Sequence, residues 1–155
     1  MNNQTQHHTT QTIAILQYNL RRRQIITDSV LNASKKYAIL ILQEQYHSSY
    51  TNSSPINKSW TLIESKNMEN KPPRAAIYLN NTILPAHSYE PVPIEIPDIV
   101  AIALRLDQEQ HPILIINIYN TKKTSHITDL RTYLRKHLRK VNLQNSIHAL
   151  SDLSR

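Results

Sequence analysis

Three polar residues close otherwise apolar runs in this 155-residue chain: Asn19 in Gln17-Tyr18-Asn19, Glu44 in Leu42-Gln43-Glu44, and Tyr119 in Asn117-Ile118-Tyr119-Asn120. The runs have the length of strands, and a strand end beside a loop is where a rigid sheet presents reactive groups. An amide, a carboxylate and a phenol gathered there could bind and orient a charged group through hydrogen bonds and one negative charge. Each residue taken singly is also an ordinary polar strand terminus.

Other chemistry-bearing residues are less organised. The eight histidines are His7 and His8 near the start, then His47, His87, His111, His126, His137 and His148, with no metal-ligand spacing among them. Arg21, Arg22 and Arg23 follow Asn19 directly and either line a path for a nucleic-acid backbone or form a solvated helix start. The absence of cysteine removes disulfides, thiol nucleophiles and zinc–thiolate sites. The absence of glycine excludes more. A P-loop, a dinucleotide fingerprint and a G-x-S-x-G elbow all need glycine where the backbone takes positive φ or approaches a phosphate. Average usage would place about eleven glycines in such a length, and a fragment tolerates their loss more easily than an intact domain.

The elements that must carry these residues follow from periodicity. Thr12 to Leu20 reads as a strand; Ile25, Ile26, Ser29, Val30 and Ala33 then lie near helical spacing up to Lys35-Lys36. Tyr37 to Gln43 is a continuous apolar run, as in a strand buried on both faces. Gln45 to Lys58 is a loop by composition. Trp60 to Glu64, Arg74 to Leu79, Ile99 to Asp107 and Pro112 to Tyr119 read as four closely spaced strands, hence antiparallel, separated by turns that include Pro91 to Pro97. Ile127, Leu130, Leu134, Leu138 and Val141 mark a last helix with Ser125 as N-cap and a surface of Arg131, Arg135, Lys136, Arg139 and Lys140. Residues 1–11 form a polar tail, read as disordered and unlike a secretory or transit peptide. No run approaches the roughly 20 apolar residues that cross a bilayer, and a formal charge of +7 favours polyanionic partners.

Taken together and in order, the strand ending in Gln-x-Asn, the helix, the strand ending in Gln-Glu and the strand ending in Asn-Ile-Tyr before a helix resemble the endonuclease/exonuclease/phosphatase superfamily. The likeness is greatest to the endonuclease domain of non-LTR (LINE-type) retrotransposons, and it runs from about Thr12 to Val141, the first half of such a domain. It implies an α/β fold of α+β type, a partial two-sheet sandwich flanked by helices, with residues 12–141 as the domain part and 142–155 as a divergent end. It also implies that Glu44 is a ligand of a divalent cation, usually magnesium, that Asn19 orients ligands or phosphate, and that Tyr119 reaches the scissile phosphate from the opposite side. The reaction would be hydrolysis of a DNA phosphodiester by water.

The family's remaining motifs, a Gly-Asp-Phe-Asn strand and a terminal Ser-Asp-His, have no counterpart here. The chain has neither Gly nor Phe, and Ser151-Asp152 is followed by Leu153 where His belongs. The expectation is therefore a truncated retrotransposon-type endonuclease domain, inactive alone. The alternatives are a non-catalytic module for nucleic acid or protein, and one half of a split nuclease. Weak contact with the DNA backbone through Arg21, Arg22 and Arg23, intracellular residence with the nucleus included, no membrane and no small-molecule cofactor complete the reading. In the family a reverse transcriptase lies on the same polypeptide, and it is expected to be absent from these 155 residues. Removing one half of a sandwich is also expected to leave an apolar face bare and a central strand as an open edge, favouring aggregation or a molten state.

Overall fold

The computed structural model describes residues 12–65, 71–96, 98–106, 112–119, 128–133 and 135–136. Strand β1 (Ile15–Asn19) leads through helix α1 (Gln24–Ala33) to β2 (Ile39–Gln43), which pairs parallel to β1 with Asn19 beside Gln43. Strand β3 (Trp60–Glu64) and β4 (Ala75–Asn80) are antiparallel, and β4 inserts between β2 and β3 to give the order β1-β2-β4-β3. A second, antiparallel sheet has the order β5-β6-β7, from β5 (Tyr89–Val92), β6 (Ile99–Leu104) and β7 (Ile113–Ile118).

Period-two alternation sorts the apolar residues into layers. Ile39, Ala75, Ile77 and Leu79 of the first sheet meet Val100, Ile102 and Leu104 of the second in a buried core between the sheets. The opposite faces of the same strands turn Leu40, Leu42, Ala76 and Tyr78 towards Leu31, Ile26 and Val30 of α1. On the outer face of the second sheet, Ile99 and Ala101 pack with Leu130 and Tyr133 of the last helix, whose described part is residues 128–133 and 135–136. The layers therefore run helix, sheet, sheet, helix, and β2, β4 and β6 lie inside their sheets with both faces covered. The Trp60 indole N–H donates to the Leu31 carbonyl at 2.9 Å, fixing the end of α1 against β3.

Three differences from the sequence reading have physical causes. Tyr89–Val92 is a strand, although its last two residues fall in the stretch Pro91 to Pro97 read as a turn; β5 lies at the sheet edge, where a residue without an N–H is tolerated. Helix α1 stops at Ala33, with the Ser34 N–H donating to the Val30 carbonyl, so Lys35-Lys36 fall beyond it. The apolar face expected to be bare is covered, because strands of both sheets come from this chain and close on each other. Among the described residues the first sheet ends at β1 and β3 and the second at β5 and β7. The tail of residues 1–11, the Ser125 cap, the helix beyond residue 136 and the end segment 142–155 lie outside the described residues.

One buried amide joins the sheets. Asn117, 2% exposed, donates from Nδ2 to the carbonyls of Leu42 at 2.8 Å and Ala76 at 3.0 Å. Gln43 answers from the first sheet, donating from Nε2 to the Ile118 carbonyl at 2.8 Å. Replacing Asn117 with Leu leaves two buried carbonyls without that donor, at a cost of about 2–3 kcal/mol. Urea unfolding of the Asn117→Leu protein is expected to show a lower midpoint with an unchanged slope; an unchanged midpoint would remove the amide's structural role.

Candidate functional site

The C-terminal ends of β1, β2 and β7 and the N-terminal ends of β4 and β6 meet at one end of the sandwich. Four residues there form a closed ring. Backbone bonds link Glu44 to Arg74, N–H to carbonyl at 2.9 Å, and Tyr119 to Asp98 at 2.8 Å, extending the ladders of the two sheets by one step. Side chains make the links across the sheets. The Tyr119 hydroxyl donates to Glu44 Oε1 at 2.8 Å, and Arg74 donates from Nε to Asp98 Oδ1 at 3.0 Å while its Nη2 pairs with Asp98 Oδ2. The guanidinium also lies over the Tyr119 ring, 4.6 Å from its centroid, within the range of a cation–π contact.

Of the residues singled out by sequence, Glu44 and Tyr119 are brought into direct contact although 75 positions separate them. Asn19 sits one strand away, beside Gln43, and its Oδ1 accepts the Arg21 N–H at 3.0 Å. Its amide thus shapes the turn that leads out of β1. Arg21 and Arg22 occupy that turn and Arg23 is the N-cap of α1; all three are exposed. The Arg22 N–H donates to the Glu44 carbonyl at 2.7 Å, so the basic turn is tied to the residue at the site's centre.

Arg74 and Asp98 escaped the sequence reading as site residues. The available signal was the one used for Asn19 and Glu44, a polar residue flanking a buried run, but here at the entrance to the strand: Arg74 precedes Ala75–Asn80 and Asp98 precedes Ile99–Leu104. Only the stacking of one sheet on the other shows that these entrances adjoin the exits of β2 and β7.

The backbone at this end is held in uncommon conformations. Arg21, Arg22, Glu44 and Asp98 have φ of 50°, 57°, 49° and 63°, the left-handed region that costs a non-glycine residue roughly 1 kcal/mol or more. A fifth such residue, Asn52 at φ 48°, lies in a surface turn, where asparagine is well suited. The surrounding hydrogen bonds hold the other four.

Among the described residues no group of three or more His, Asp or Glu side chains converges. Glu44 offers a single carboxylate, while that of Asp98 is taken up by Arg74. The guanidinium is raised above its ordinary pKa, first by the hydrogen bond to Asp98. The Tyr119 phenol is also raised, chiefly because its O–H donates to the Glu44 carboxylate and that bond exists only in the protonated form.

Two outcomes follow. Because the folded phenol is raised above an unfolded value of about 10, its contribution to stability is complete below that value and is lost as pH rises through the folded one. Glu44→Gln is expected to lower the Tyr119 transition; subtracting the phenolate absorbance titration of Tyr119→Phe from each protein isolates it, and an unmoved transition contradicts the bond. Arg74→Ala strands the Asp98 carboxylate, which is 8% exposed, against an arginine side chain that is 26% exposed. The partial exposure keeps the expected loss near 2 kcal/mol, below that of a fully buried pair, as urea unfolding would measure.

No protein-family model and no curated protein sequence matches the chain. Among solved structures it is similar to the endonuclease domain of TRAS1, a telomere-specific non-LTR retrotransposon, with a TM-score of 0.58 and 20% identity over 81% of this chain and 53% of that one. The chain thus has an endonuclease-type fold and spans about half the length of the structure it resembles.

Proposed function

We propose that this chain is a nucleic-acid-binding portion of a retrotransposon-type endonuclease domain, carrying part of a metal-dependent phosphodiesterase centre and unable to cleave DNA alone. The observation that supports this reading is the Tyr119–Glu44 bond, since it joins two of the three residues assigned by family resemblance and does so across the two sheets. Charge supports a polyanionic partner: the formal net charge is +7, and exposed Arg21, Arg22 and Arg23 follow one another in the segment that the Arg22 N–H ties to the Glu44 carbonyl.

A magnesium ion fits the donor set to a limited degree. Magnesium is commonly held by one or two carboxylates together with waters and substrate phosphate oxygens, and Glu44 supplies one carboxylate. When bound, the ion would polarise a phosphate oxygen and stabilise the charge that develops on the leaving oxygen. Glu44 would hold it, Tyr119 would orient the Glu44 carboxylate and a phosphate oxygen, and Asn19 would keep the arginine turn in place. Among the described residues no group of three or more His, Asp or Glu side chains converges, and the Asp98 carboxylate in the same ring as Glu44 is taken up by Arg74. Losing several members of a catalytic set together costs many orders of magnitude in rate.

Plasmid nicking in magnesium or manganese tests the catalytic half of the proposal. No nicking above background is expected from the wild-type chain; nicking that disappears in Glu44→Ala would show that the chain carries a working site. The binding half is tested by salt titration. Replacing Arg21, Arg22 and Arg23 together with Ser is expected to weaken binding of a mixed-sequence duplex by about tenfold or more and to flatten the dependence on salt. Sequence-selective binding that survives raised salt would contradict a backbone-directed surface.

A further inference from the structure

The connection from β2 to β3 runs through Gln45 to Lys58, where Ser, Thr, Asn and Tyr supply most of the residues and Asp and Glu are absent. Its first part folds back on itself as a small hairpin. The Ser48 N–H donates to the Ser53 carbonyl at 2.9 Å across an antiparallel bridge, and the Thr51 N–H donates to Ser48 Oγ at 3.2 Å. The hydroxyls of Thr51 and Ser53 bond to each other at 2.8 Å, and Asn52 makes the turn at φ 48°. Tyr50 stands at this braced tip. It is 98% exposed, more than any other large hydrophobic side chain among the described residues, so its ring adds nothing to the core.

The hairpin is mounted on the same support as the arginine turn. Strands β1 and β2 are parallel neighbours, so the turn after β1 and the hairpin after β2 leave the sheet at the same end. At the hairpin's root the Tyr46 N–H donates to Thr27 Oγ1 at 3.1 Å, and that hydroxyl donates in turn to the Arg23 carbonyl at 3.0 Å. Thr27 is fully buried, and its one hydroxyl thus joins the two segments. A second tie is the Arg22 N–H on the Glu44 carbonyl, one residue before the connection begins. The far leg is held as well: the Tyr78 hydroxyl donates to the Pro55 carbonyl at 3.0 Å, and Asn57 Nδ2 donates to Asn32 Oδ1 at 3.3 Å.

We propose that Tyr50 is a stacking platform for an unpaired DNA base, set beside the arginines that take the phosphates of the same strand. Cations along the backbone and an aromatic ring under a base are the two parts from which single-strand sites are built, and stacking accepts any base because each has a π-face. A base paired inside a duplex offers no free face, so the strand that fits is an unpaired one. The hairpin brings no carboxylate to repel it. Because the tip is ordered before the strand arrives, less conformational freedom is lost on binding. The inference rests on the proposed nucleic-acid binding and adds to it a contact that reads strandedness.

Fluorescence anisotropy of the full chain tests it with three labelled DNAs of equal length: a mixed-sequence single strand, the same strand in a blunt duplex, and an abasic strand. Tyr50→Ala is expected to weaken binding of the single strand at least about fivefold, while leaving the duplex and the abasic strand unchanged. The slope against salt should stay as in the wild type, because no ionic contact is removed. Replacing Arg21, Arg22 and Arg23 with Ser should weaken all three and flatten that slope. Tyr50→Trp should keep the affinity, and its indole emission should be quenched by the single strand beyond any change from Trp60, the chain's one tryptophan, which is buried. Loss in the arginine variant without loss in Tyr50→Ala, equal loss on all three DNAs in Tyr50→Ala, or an unquenched Tyr50→Trp would each overturn the stacking site and leave the DNA-binding reading standing. A wild-type chain that binds none of the three would overturn both.

Discussion

The site depends on the buried side-chain amide of Asn117, which carries hydrogen bonds from the second sheet to the carbonyls of Leu42 and Ala76 in the first. Apolar contact alone sets the distance between stacked sheets but allows them to slide, since it has no direction. Two directed bonds from one amide, with Gln43 reaching back to the Ile118 carbonyl, fix the register of β7 against β2. Tyr119 follows Asn117 by two residues and Glu44 follows Leu42 by two. Once the amide is seated, the phenol and the carboxylate are carried into hydrogen-bonding distance.

The ring of Glu44, Arg74, Asp98 and Tyr119 continues the same principle at the mouth of the sandwich. Its two backbone links belong to the sheets, and its two side-chain links join them. Arg74 has a double role, neutralising Asp98 and covering the face of the Tyr119 ring. The phenol is thereby restricted in rotation as well as hydrogen-bonded. Without glycine, the chain makes its turns here with four side-chain-bearing residues at positive φ. Such strain persists where surrounding bonds over-determine the backbone, and the Arg22–Glu44, Glu44–Arg74 and Tyr119–Asp98 links do so.

Strands β3 and β5 lie on one side of the sandwich and β1 and β7 on the other, where Ile15 and Ile113 are 44% and 48% exposed. Both arginine-rich turn and ring lie at the strand ends rather than along these edges.

The sequence alone determined much of the local structure, because local structure follows from local pattern. The apolar run Tyr37 to Gln43 becomes β2, Ile26 and Val30 at four-residue spacing turn towards the sheet from α1 although Ile25, Ser29 and Ala33 of the same reading are exposed, and polar strand ends mark Asn19, Glu44 and Tyr119. Pattern failed at Tyr89–Val92, where proline signals a turn and only an edge position makes a strand tolerable. It also failed at Arg74 and Asp98, whose importance arises from a bond between residues 24 positions apart on different sheets. Contacts of that kind are decided by how one sheet lies on the other, a relation with no sequence period. Tertiary structure also separated the roles of the three polar strand ends: stacking joins Glu44 to Tyr119, while the side chain of Asn19, on the edge strand of one sheet, turns to its own backbone.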